Sequence, residues 1–196
     1  PQGNLKTKLH CAGRHNVSNA LAATAAALAA GIDLQNIAQG LEKFEPVKGR
    51  SRAYVVHIAG KQISVVDDSY NANPDSVKAA IDLLSELPKP QMLVLGDMGE
   101  VGNQGLEFHK EVGLYAHQKD IDRVLCLGEL TTHAVQACGT RAQHFGDIDA
   151  LNFQVRHELP KMASVLVKGS RFMKMERVLE AIAKQSEQHP QETTPC

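Results

Sequence analysis

The chain has 196 residues, with 21 basic and 22 acidic side chains and a formal net charge of −1. This length allows one core of about 130 to 150 residues and a smaller piece beside it. The balanced charge provides no global field that would favour nucleic acid or an anionic membrane as a partner, so any phosphate group must be bound locally.

No apolar stretch approaches the ~20 residues needed to span a bilayer, and the start of the chain lacks the apolar core of a signal peptide. We therefore expect a cytoplasmic protein. A monomer is also expected. The chain has no initiator Met and no obvious first element, which suggests a piece cut from a longer protein. Without CxxC spacing, buried free thiols are expected rather than disulfides or zinc ligands at Cys11, Cys126, Cys138 and Cys196.

The first predicted elements are a short strand over residues 5 to 9 and two helices. Residues 16 to 30 are nearly all Ala and Leu, which predicts a helix that is apolar all round, therefore buried, and ended by Gly31. Asp33 is predicted to cap a second helix that continues to about Lys43. Pro46 and Gly49 then interrupt the helical pattern, so we place a domain boundary near residue 48.

From the boundary onward, predicted strands alternate with predicted helices. A hairpin of residues 53–58 and 61–66 turns at Ala59-Gly60. Further strands are predicted at 91–95, 122–127, 142–145 and 164–167, and helices at 75–87, 105–118, 130–138, 147–158 and 171–184. This order predicts an α/β fold whose mostly parallel, Rossmann-like sheet is sandwiched by helices, followed by a disordered tail over residues 185–196.

The most informative stretch is residues 65–76, where the apolar run of a strand stops in Asp67-Asp68-Ser69-Tyr70-Asn71-Ala72-Asn73 and a helix then begins. Ligands of open α/β sheets bind outside the carboxyl ends of the strands, and carboxylates and carboxamides suit a polar ligand. The alternative is an Asp/Asn-rich turn in which Asp75 or Ser76 caps the next helix.

Other polar stretches interrupt the chain at matching places. Residues 13–23 open a helix, residues 49–52 precede a strand, and residues 95–100 and 167–171 follow strands. The pattern predicts that these stretches meet in one site at the carboxyl edge of the sheet.

These stretches resemble the ATP-dependent Mur ligases of peptidoglycan synthesis. The matching motifs are GRHNxxNALAA at 13–23, DDSYNANP at 67–74, LGDMGE at 95–100 and VKGSR at 167–171. The first motif resembles one that the whole superfamily shares. The second and third motifs together resemble those of the members that add D-alanyl-D-alanine to UDP-N-acetylmuramoyl-tripeptide. The resemblance implies that residues 1–47 are the C-terminal part of the central ATP-binding domain, a helical remnant, and that residues 48–184 are the C-terminal domain.

The resemblance also implies a nucleotide site. Arg50 would bring a guanidinium to the γ-phosphate as the catalytic residue, with Arg52 as the nearby alternative. Asp68 would accept hydrogen bonds from the ribose, while Asp67 orients the loop. Asn16 and Asn19 match the pair that contacts adenine in the family, and their separation of three residues places both carboxamides on one helical face. The alternative for Asn16 is a helix cap.

For the peptide substrates the resemblance implies three contact regions. Tyr70, Asn71 and Asn73 would shape the pocket where the dipeptide meets the acceptor carboxylate. Asp97 and Glu100 would orient the attacking ammonium. Lys168, Ser170 and Arg171 would meet carboxylates at another strand end, near a helix N-terminus. For the last two groups, helix capping or surface solvation is the alternative, and His109 is interpreted as a partly exposed helical residue.

One departure from the family is large, because no GxxxxGK[ST] phosphate loop occurs in the chain. The implied cofactors, ATP and Mg²⁺, would be held mainly by the missing central domain, no metal site is expected here, and the piece alone would be inactive. The expected partners are the two substrates and the rest of the polypeptide. The alternatives are another Mur or folylpolyglutamate-type ligase, a non-catalytic nucleotide- or peptide-binding module, and a purely structural domain.

Overall fold

The computed structural model of the chain describes residues 3–4, 6–11 and 13–187, apart from the side chain of His15. It begins with two helices and continues with strands that alternate with helices after an initial hairpin. In chain order the elements are α1 (Arg14–Ala29), α2 (Leu34–Lys43), β1 (Arg52–Ile58), β2 (Lys61–Asp68), α3 (Pro74–Ser85), β3 (Gln91–Gly96), α4 (Gly105–Gln118), β4 (Arg123–Leu127), α5 (Thr131–Cys138), β5 (Ala142–Phe145), α6 (Ile148–Glu158), β6 (Ser164–Lys168) and α7 (Glu176–Glu187).

In the described part of the chain the strands form a six-stranded sheet in the order β1-β2-β6-β3-β4-β5. β1 pairs antiparallel with β2, and the other neighbouring pairs are parallel. The hairpin turn has positive φ at Ala59 (50°) and Gly60 (74°), the signature of a turn whose twist matches that of the flanking strands. The mostly parallel α/β fold is therefore confirmed.

Two apolar clusters cover the two faces of the sheet. Met92 and Val94 of β3 point into a cluster that includes α6 and α7, whereas Leu93 and Leu95 point into one that includes α3 and α4. Successive side chains of a strand face opposite sides, so a strand covered on both faces needs an unbroken apolar run. β3 is buried along its whole length, and the predicted sandwich is confirmed.

The strand order explains why the polar stretches meet. β6 lies between β2 and β3, although it is the last strand in the chain. Since the three strands are parallel, the loops that follow Asp68, Gly96 and Lys168 all leave the same edge of the sheet. The predicted meeting of these stretches is confirmed for the three strand ends.

The N-terminal segment differs from two predictions. Residues 6–9 form no strand, and Leu5 lies outside the described residues. The helix predicted to be buried is α1, yet its Val17 and Leu21 are 50% and 65% exposed. An Ala- and Leu-rich composition makes a helix, but burial also requires a covering surface, and α1 packs mainly on α2. The cap of α2 is confirmed, since Asp33 accepts a hydrogen bond from the Asn36 N–H.

At the other end, α7 continues beyond the predicted limit of residue 184 to Glu187. Gln185 is buried and donates a hydrogen bond to the Arg156 carbonyl (3.0 Å), so it belongs to the packed helix rather than to a tail. The remaining predicted tail, residues 188–196, lies outside the described residues. Cys126 and Cys138 are free and buried as predicted, Cys11 is free but only partly buried, and Cys196 is outside the described range.

Candidate functional site

The segment before β1 is bound to the loop after β2 by two adjacent carboxylates. The antiparallel pairing places Arg52 opposite Asp67, so the chain that leads into β1 lies beside the end of β2. The Gly49 N–H donates to Asp67 Oδ2 (3.0 Å), and the Ser51 N–H and hydroxyl donate to Asp68 Oδ1 (3.0 and 3.2 Å). The residue between them, Arg50, is thereby fixed at the edge of the sheet.

Asp67 also holds its own loop. It is 3% exposed and accepts hydrogen bonds from the Ser69 N–H (3.2 Å) and the Ser69 hydroxyl (2.6 Å). A buried carboxylate is stable only when hydrogen bonds replace its hydration, and these bonds do so. The geometry matches the loop-orienting role that the sequence suggested for Asp67.

A buried ion pair joins the ends of β2 and β6. Asp68 and Lys168 are register partners in the two parallel strands, and Lys168 Nζ lies 2.6 Å from Asp68 Oδ2. Lys168 Nζ also donates to the Asn71 carbonyl (2.9 Å), and its side chain is only 3% exposed. Lys168 therefore neutralises Asp68 and supports the loop, instead of presenting an open ammonium to a substrate carboxylate.

Arg50 is exposed and lies against an aromatic ring. Its guanidinium carbon is 4.5 Å from the centroid of the Tyr70 ring, a cation–π distance. The Tyr70 N–H donates to the Gly49 carbonyl (3.0 Å), which brings the two segments into direct contact. The guanidinium of Arg171 is 5.8 Å from the same centroid.

Asn16 and Asn19 lie on one face of α1, as their spacing predicted. The Asn19 carboxamide donates to Asn16 Oδ1 (3.3 Å). Gly13 occupies the N-cap position of α1 and Asn16 lies inside the first turn, so the capping alternative for Asn16 is wrong.

These elements enclose a cleft of about 770 Å³ between α1 and the carboxyl edge of the sheet. Apolar side chains from the N-terminal segment, such as Leu41 and Phe44, form much of one wall. The predicted site residues that line the cleft are Asn16, Asn19, Arg50, Asp68, Tyr70, Asn71, Asn73 and Lys168. The lining does not include Asp67, Asp97, Glu100, Ser170 or Arg171.

Two of the lining carboxamides serve the loop itself. Asn71 Oδ1 accepts a hydrogen bond from the Ala72 N–H (2.9 Å). Asn73 is the N-cap of α3 and forms a capping box with Ser76, in which Asn73 Oδ1 accepts from the Ser76 N–H (2.8 Å) and the Asn73 N–H donates to Ser76 Oγ (3.0 Å). The expected cap at Asp75 or Ser76 was therefore placed too late in the sequence.

Asp97 is buried and caps α5. Its Oδ1 accepts from the Thr131 N–H (2.8 Å) and its Oδ2 from the Leu130 N–H (3.2 Å). The structure thus favours the capping alternative over the orienting of an ammonium. His109, interpreted from the sequence as partly exposed, is fully buried beside it.

Ser170 and Arg171 divide between the interior and the surface. Ser170 is 2% exposed, and its hydroxyl accepts from the Gly99 N–H (2.5 Å) and donates to the Ala72 carbonyl (3.1 Å). It therefore ties together the loops that follow β2, β3 and β6. Arg171 is exposed and paired with Glu176 (2.9 Å), and Glu100 is exposed.

Comparisons with known proteins decide the family. The sequence profile described as "Mur ligase, glutamate ligase domain" matches residues 49–171. The chain belongs to the Mur ligase family. It is 38% identical over 184 residues to the UDP-N-acetylmuramoyl-tripeptide–D-alanyl-D-alanine ligase of Escherichia coli (strain K12), covering 93% of this chain and 40% of that relative.

Other Mur ligases agree in sequence and structure. The ligase of the same name from Bacillus subtilis (strain 168) is 36% identical over 175 residues, covering 86% of this chain and 38% of the relative. A crystal structure of MurF from Acinetobacter baumannii superposes with a TM-score of 0.81 at 34% identity, over 95% of this chain and 40% of that one. The chain thus spans about two fifths of the length of these relatives.

Sequence reasoning missed several residues of this candidate site. Ser51 supplies two hydrogen bonds to Asp68, and the Asn71 and Ala72 carbonyls receive Lys168 and Ser170. Backbone carbonyls carry no sequence signal. Ser51 lies between Arg50 and Arg52, the two residues whose charge suggested a phosphate contact. Its positive φ of 50° is a property of the folded chain that the sequence does not indicate.

Proposed function

We propose that this chain is part of an ATP-dependent amide ligase that joins D-alanyl-D-alanine to UDP-N-acetylmuramoyl-tripeptide through an acyl-phosphate intermediate. The product would be a peptidoglycan precursor. The substrates are those named for the Escherichia coli and Bacillus subtilis relatives. The observation that carries the proposal is the convergence of Asn16, Asn19, Arg50 and Asp68 on one cleft.

The cleft suits ATP in size and in chemistry. Ligand pockets of ~300–1,000 Å³ are typical for small molecules and cofactors, and this cleft has about 770 Å³. Asn16 and Asn19 offer carboxamides to the base edge of adenine, and the apolar wall around Phe44 suits its flat faces. Asp68 is 16% exposed at its side chain. Ser51 uses both lone pairs of Asp68 Oδ1, whereas Oδ2 keeps one lone pair beyond that used by Lys168. Its ribose role is compatible with the ion pair.

Arg50 is the residue that we assign to the phosphoryl-transfer step. A carboxylate is a poor electrophile at neutral pH, and phosphorylation by ATP makes it reactive toward an amine. Protein groups assist such a transfer by positioning and by neutralising charge on the phosphoryl oxygens. A guanidinium presents N–H donors in a fork that matches phosphate geometry.

Mg²⁺ is the second cofactor of the proposal. Within residues 3–4, 6–11 and 13–187, no group of three or more His, Cys, Asp or Glu side chains is placed to hold a metal ion. We therefore assign Mg²⁺, and most contacts to the phosphates, to the central domain that the family resemblance implies. When bound there, the ion supplies charge neutralisation between phosphate oxygens.

The peptide substrates are assigned to the open side of the loop after β2. Tyr70 and Asn71 are exposed where they line the cleft, and Arg171 offers an exposed cation next to Tyr70 for a carboxylate. Asp97, Lys168 and Ser170 have no substrate contact in this proposal, because their polar atoms hold the loops. Asn73 contributes to the pocket as the cap that fixes the end of the loop.

The remaining partner assignments are part of the same proposal. The rest of the polypeptide is required as the phosphate-binding partner, the assembly is a monomer, nucleic acid is not a ligand, and the compartment is the cytoplasm. Among the helices that the structure describes, none is long and apolar enough to cross a bilayer.

The test compares this chain with the full-length ligase. With ATP, Mg²⁺, tripeptide precursor and D-alanyl-D-alanine, the full-length protein should release phosphate, and this chain alone should release none and bind ATP weakly in calorimetry. Robust turnover by this chain alone would contradict the proposed division of labour.

In the full-length protein, Arg50→Ala should lower kcat by at least about tenfold, the size expected when a charge contact to the transferring group is removed. The matched control is Arg52→Ala, because Arg52 is also exposed and lies two residues away but does not line the cleft. Equal losses in the two variants, or an effect of Arg52 alone, would remove Arg50 from the reaction.

A further inference from the structure

Tyr70 receives two guanidinium groups at the rim of the cleft. The Arg50 guanidinium carbon is 4.5 Å from the ring centroid, and that of Arg171 is 5.8 Å away. The Tyr70 side chain is 41% exposed, so the ring forms an open surface rather than part of the core.

The backbone brings the ring and Arg50 together without relying on the side chains. The Tyr70 N–H donates to the Gly49 carbonyl (3.0 Å). Gly49 has φ of +85°, and a Cβ built on it would lie 3.0 Å from both Tyr70 Cβ and Tyr70 N. Only glycine permits this approach at low strain. Asp67 and Asp68 fix the neighbouring amides of Gly49 and Ser51.

The two arginines differ in what else they bind. Arg171 is paired with Glu176 at 2.9 Å. The Arg50 guanidinium makes no hydrogen bond or ion pair to a protein acceptor within the described ranges, so the Tyr70 ring is the contact that orders it. Contact with a π-face uses the cation's charge and consumes none of its N–H donors. These donors stay available for a phosphate group.

We infer that Tyr70 is a positioning residue, whose ring holds the Arg50 guanidinium at the cleft in the orientation that meets the transferring phosphoryl group. The inference rests on the proposed function for the role of Arg50. The aromatic face supplies the effect, so phenylalanine should replace Tyr70 and an aliphatic side chain of similar size should not.

The kinetic test uses the full-length ligase with the single variants Tyr70→Leu, Tyr70→Phe and Arg50→Ala. Each Tyr70 variant is also combined with Arg50→Ala. Tyr70→Leu should lower kcat about three- to tenfold, a loss in the range of one cation–π contact to a reacting group. Tyr70→Phe should stay within about twofold of the parent. In the Arg50→Ala background, Tyr70→Leu should lower kcat by less than about twofold more, because no guanidinium is left for the ring to position.

Tyr115 on α4 offers a matched control. The Lys119 Nζ lies 5.2 Å from the centroid of its ring, and neither residue lines the cleft. Tyr115→Leu should leave kcat unchanged even where it lowers the melting temperature. If the effects of Tyr70→Leu and Arg50→Ala multiply independently, or if Tyr70→Phe is as damaging as Tyr70→Leu, the inference is overturned.

A second measurement does not depend on turnover. In NMR spectra of this chain, the side-chain protons of Arg50 should carry an upfield ring-current shift that Tyr70→Phe keeps and Tyr70→Leu removes. Absence of that shift in the parent chain overturns the inference. If the shift is present but the full-length protein has no ligase activity, the proposed function fails while the positioning contact stands.

Discussion

His109 shows how one buried residue organises the end of a strand. The Met98 N–H donates to its Nε2 (2.9 Å), and its Nδ1 lies 2.6 Å from the Gly105 carbonyl. A backbone N–H can only donate, so Nε2 holds the lone pair and Nδ1 carries the proton. Burial lowers the pKa of His109 more than the Gly105 carbonyl and the Asp97 carboxylate raise it. The imidazole is neutral and joins the loop after β3 to α4.

The sign of the pH effect follows from that lowered pKa. In the unfolded chain His109 takes up a proton as the pH falls through its ordinary value of 6.5, while the folded chain resists it. The free energy of unfolding should therefore decrease as the pH falls from about 7 toward 5, by up to about 1.4 kcal/mol for each unit of pKa lowering. His109→Gln should be less stable at pH 8 but show a flatter slope, measured by urea unfolding across this range.

The chain contains nine histidines, so a control is needed for the others. His157 is exposed on α6, and His157→Gln serves as the matched histidine-to-glutamine substitution. If His109→Gln retains the full slope of the parent chain, the titration comes from another group.

At the scale of elements, α4 and α5 approach each other through a glycine. A Cβ built on Gly113 would lie 2.1 Å from the Ala134 carbonyl oxygen, and both residues are buried. Helix propensity alone would rank this glycine as a weakness. The tight backbone contact explains why glycine is nevertheless favourable at position 113, since any side chain there would push the two helices apart.

Two glycine-to-alanine variants separate these effects. Gly113→Ala should destabilise the protein by about 1–3 kcal/mol through overpacking, against a gain of roughly 0.5–1 kcal/mol in helix propensity. Gly40→Ala on α2 has nothing within 4 Å of the new Cβ and should be neutral or stabilising. The measurement is chemical denaturation of both. A stable Gly113→Ala protein would mean that α4 and α5 can separate without loss.

At the scale of the whole molecule, the sheet and its helices carry the core, and the N-terminal helices sit at its edge. The large buried clusters are formed by residues from Val56 onward, whereas Val17, Leu21 and Phe44 are at least half exposed. The apolar wall of the cleft therefore comes from a part that contributes little to the core. Among the described residues, α1 and α2 complete the cleft but contribute no side chain to either apolar cluster.

A chain limited to residues 48–187 should therefore fold by itself. It keeps both apolar clusters and the bonds of Gly49 and Ser51 to Asp67 and Asp68. We expect a single cooperative thermal transition with a melting temperature within about 5 °C of the parent, because local stability follows buried apolar contacts. Scanning calorimetry gives the result, and loss of the cooperative transition would show that the predicted boundary near residue 48 cuts through the folding unit.

Much of the architecture followed from local pattern. Unbroken apolar runs such as 92–95 identified strands covered on both faces, and the alternation of strands and helices predicted a mostly parallel sheet. The motifs at 13–23, 49–52 and 67–74 identified residues that do share a cleft. Helix ends were less predictable, since the cap of α3 is Asn73, two to three residues before the side chains that the sequence favoured.

The sequence by itself determined the element types from α1 onward, the family and the strand ends at which polar side chains gather, because each depends on residues close together in the chain. Only the tertiary structure decided which polar groups stay open to a ligand. Asp97, Lys168 and Ser170 look like site residues in the sequence, but their partners lie 33, 100 and 98 positions away, at Leu130, Asp68 and Ala72. A buried polar group takes whichever partner the fold brings near, and that choice is made in space rather than along the chain.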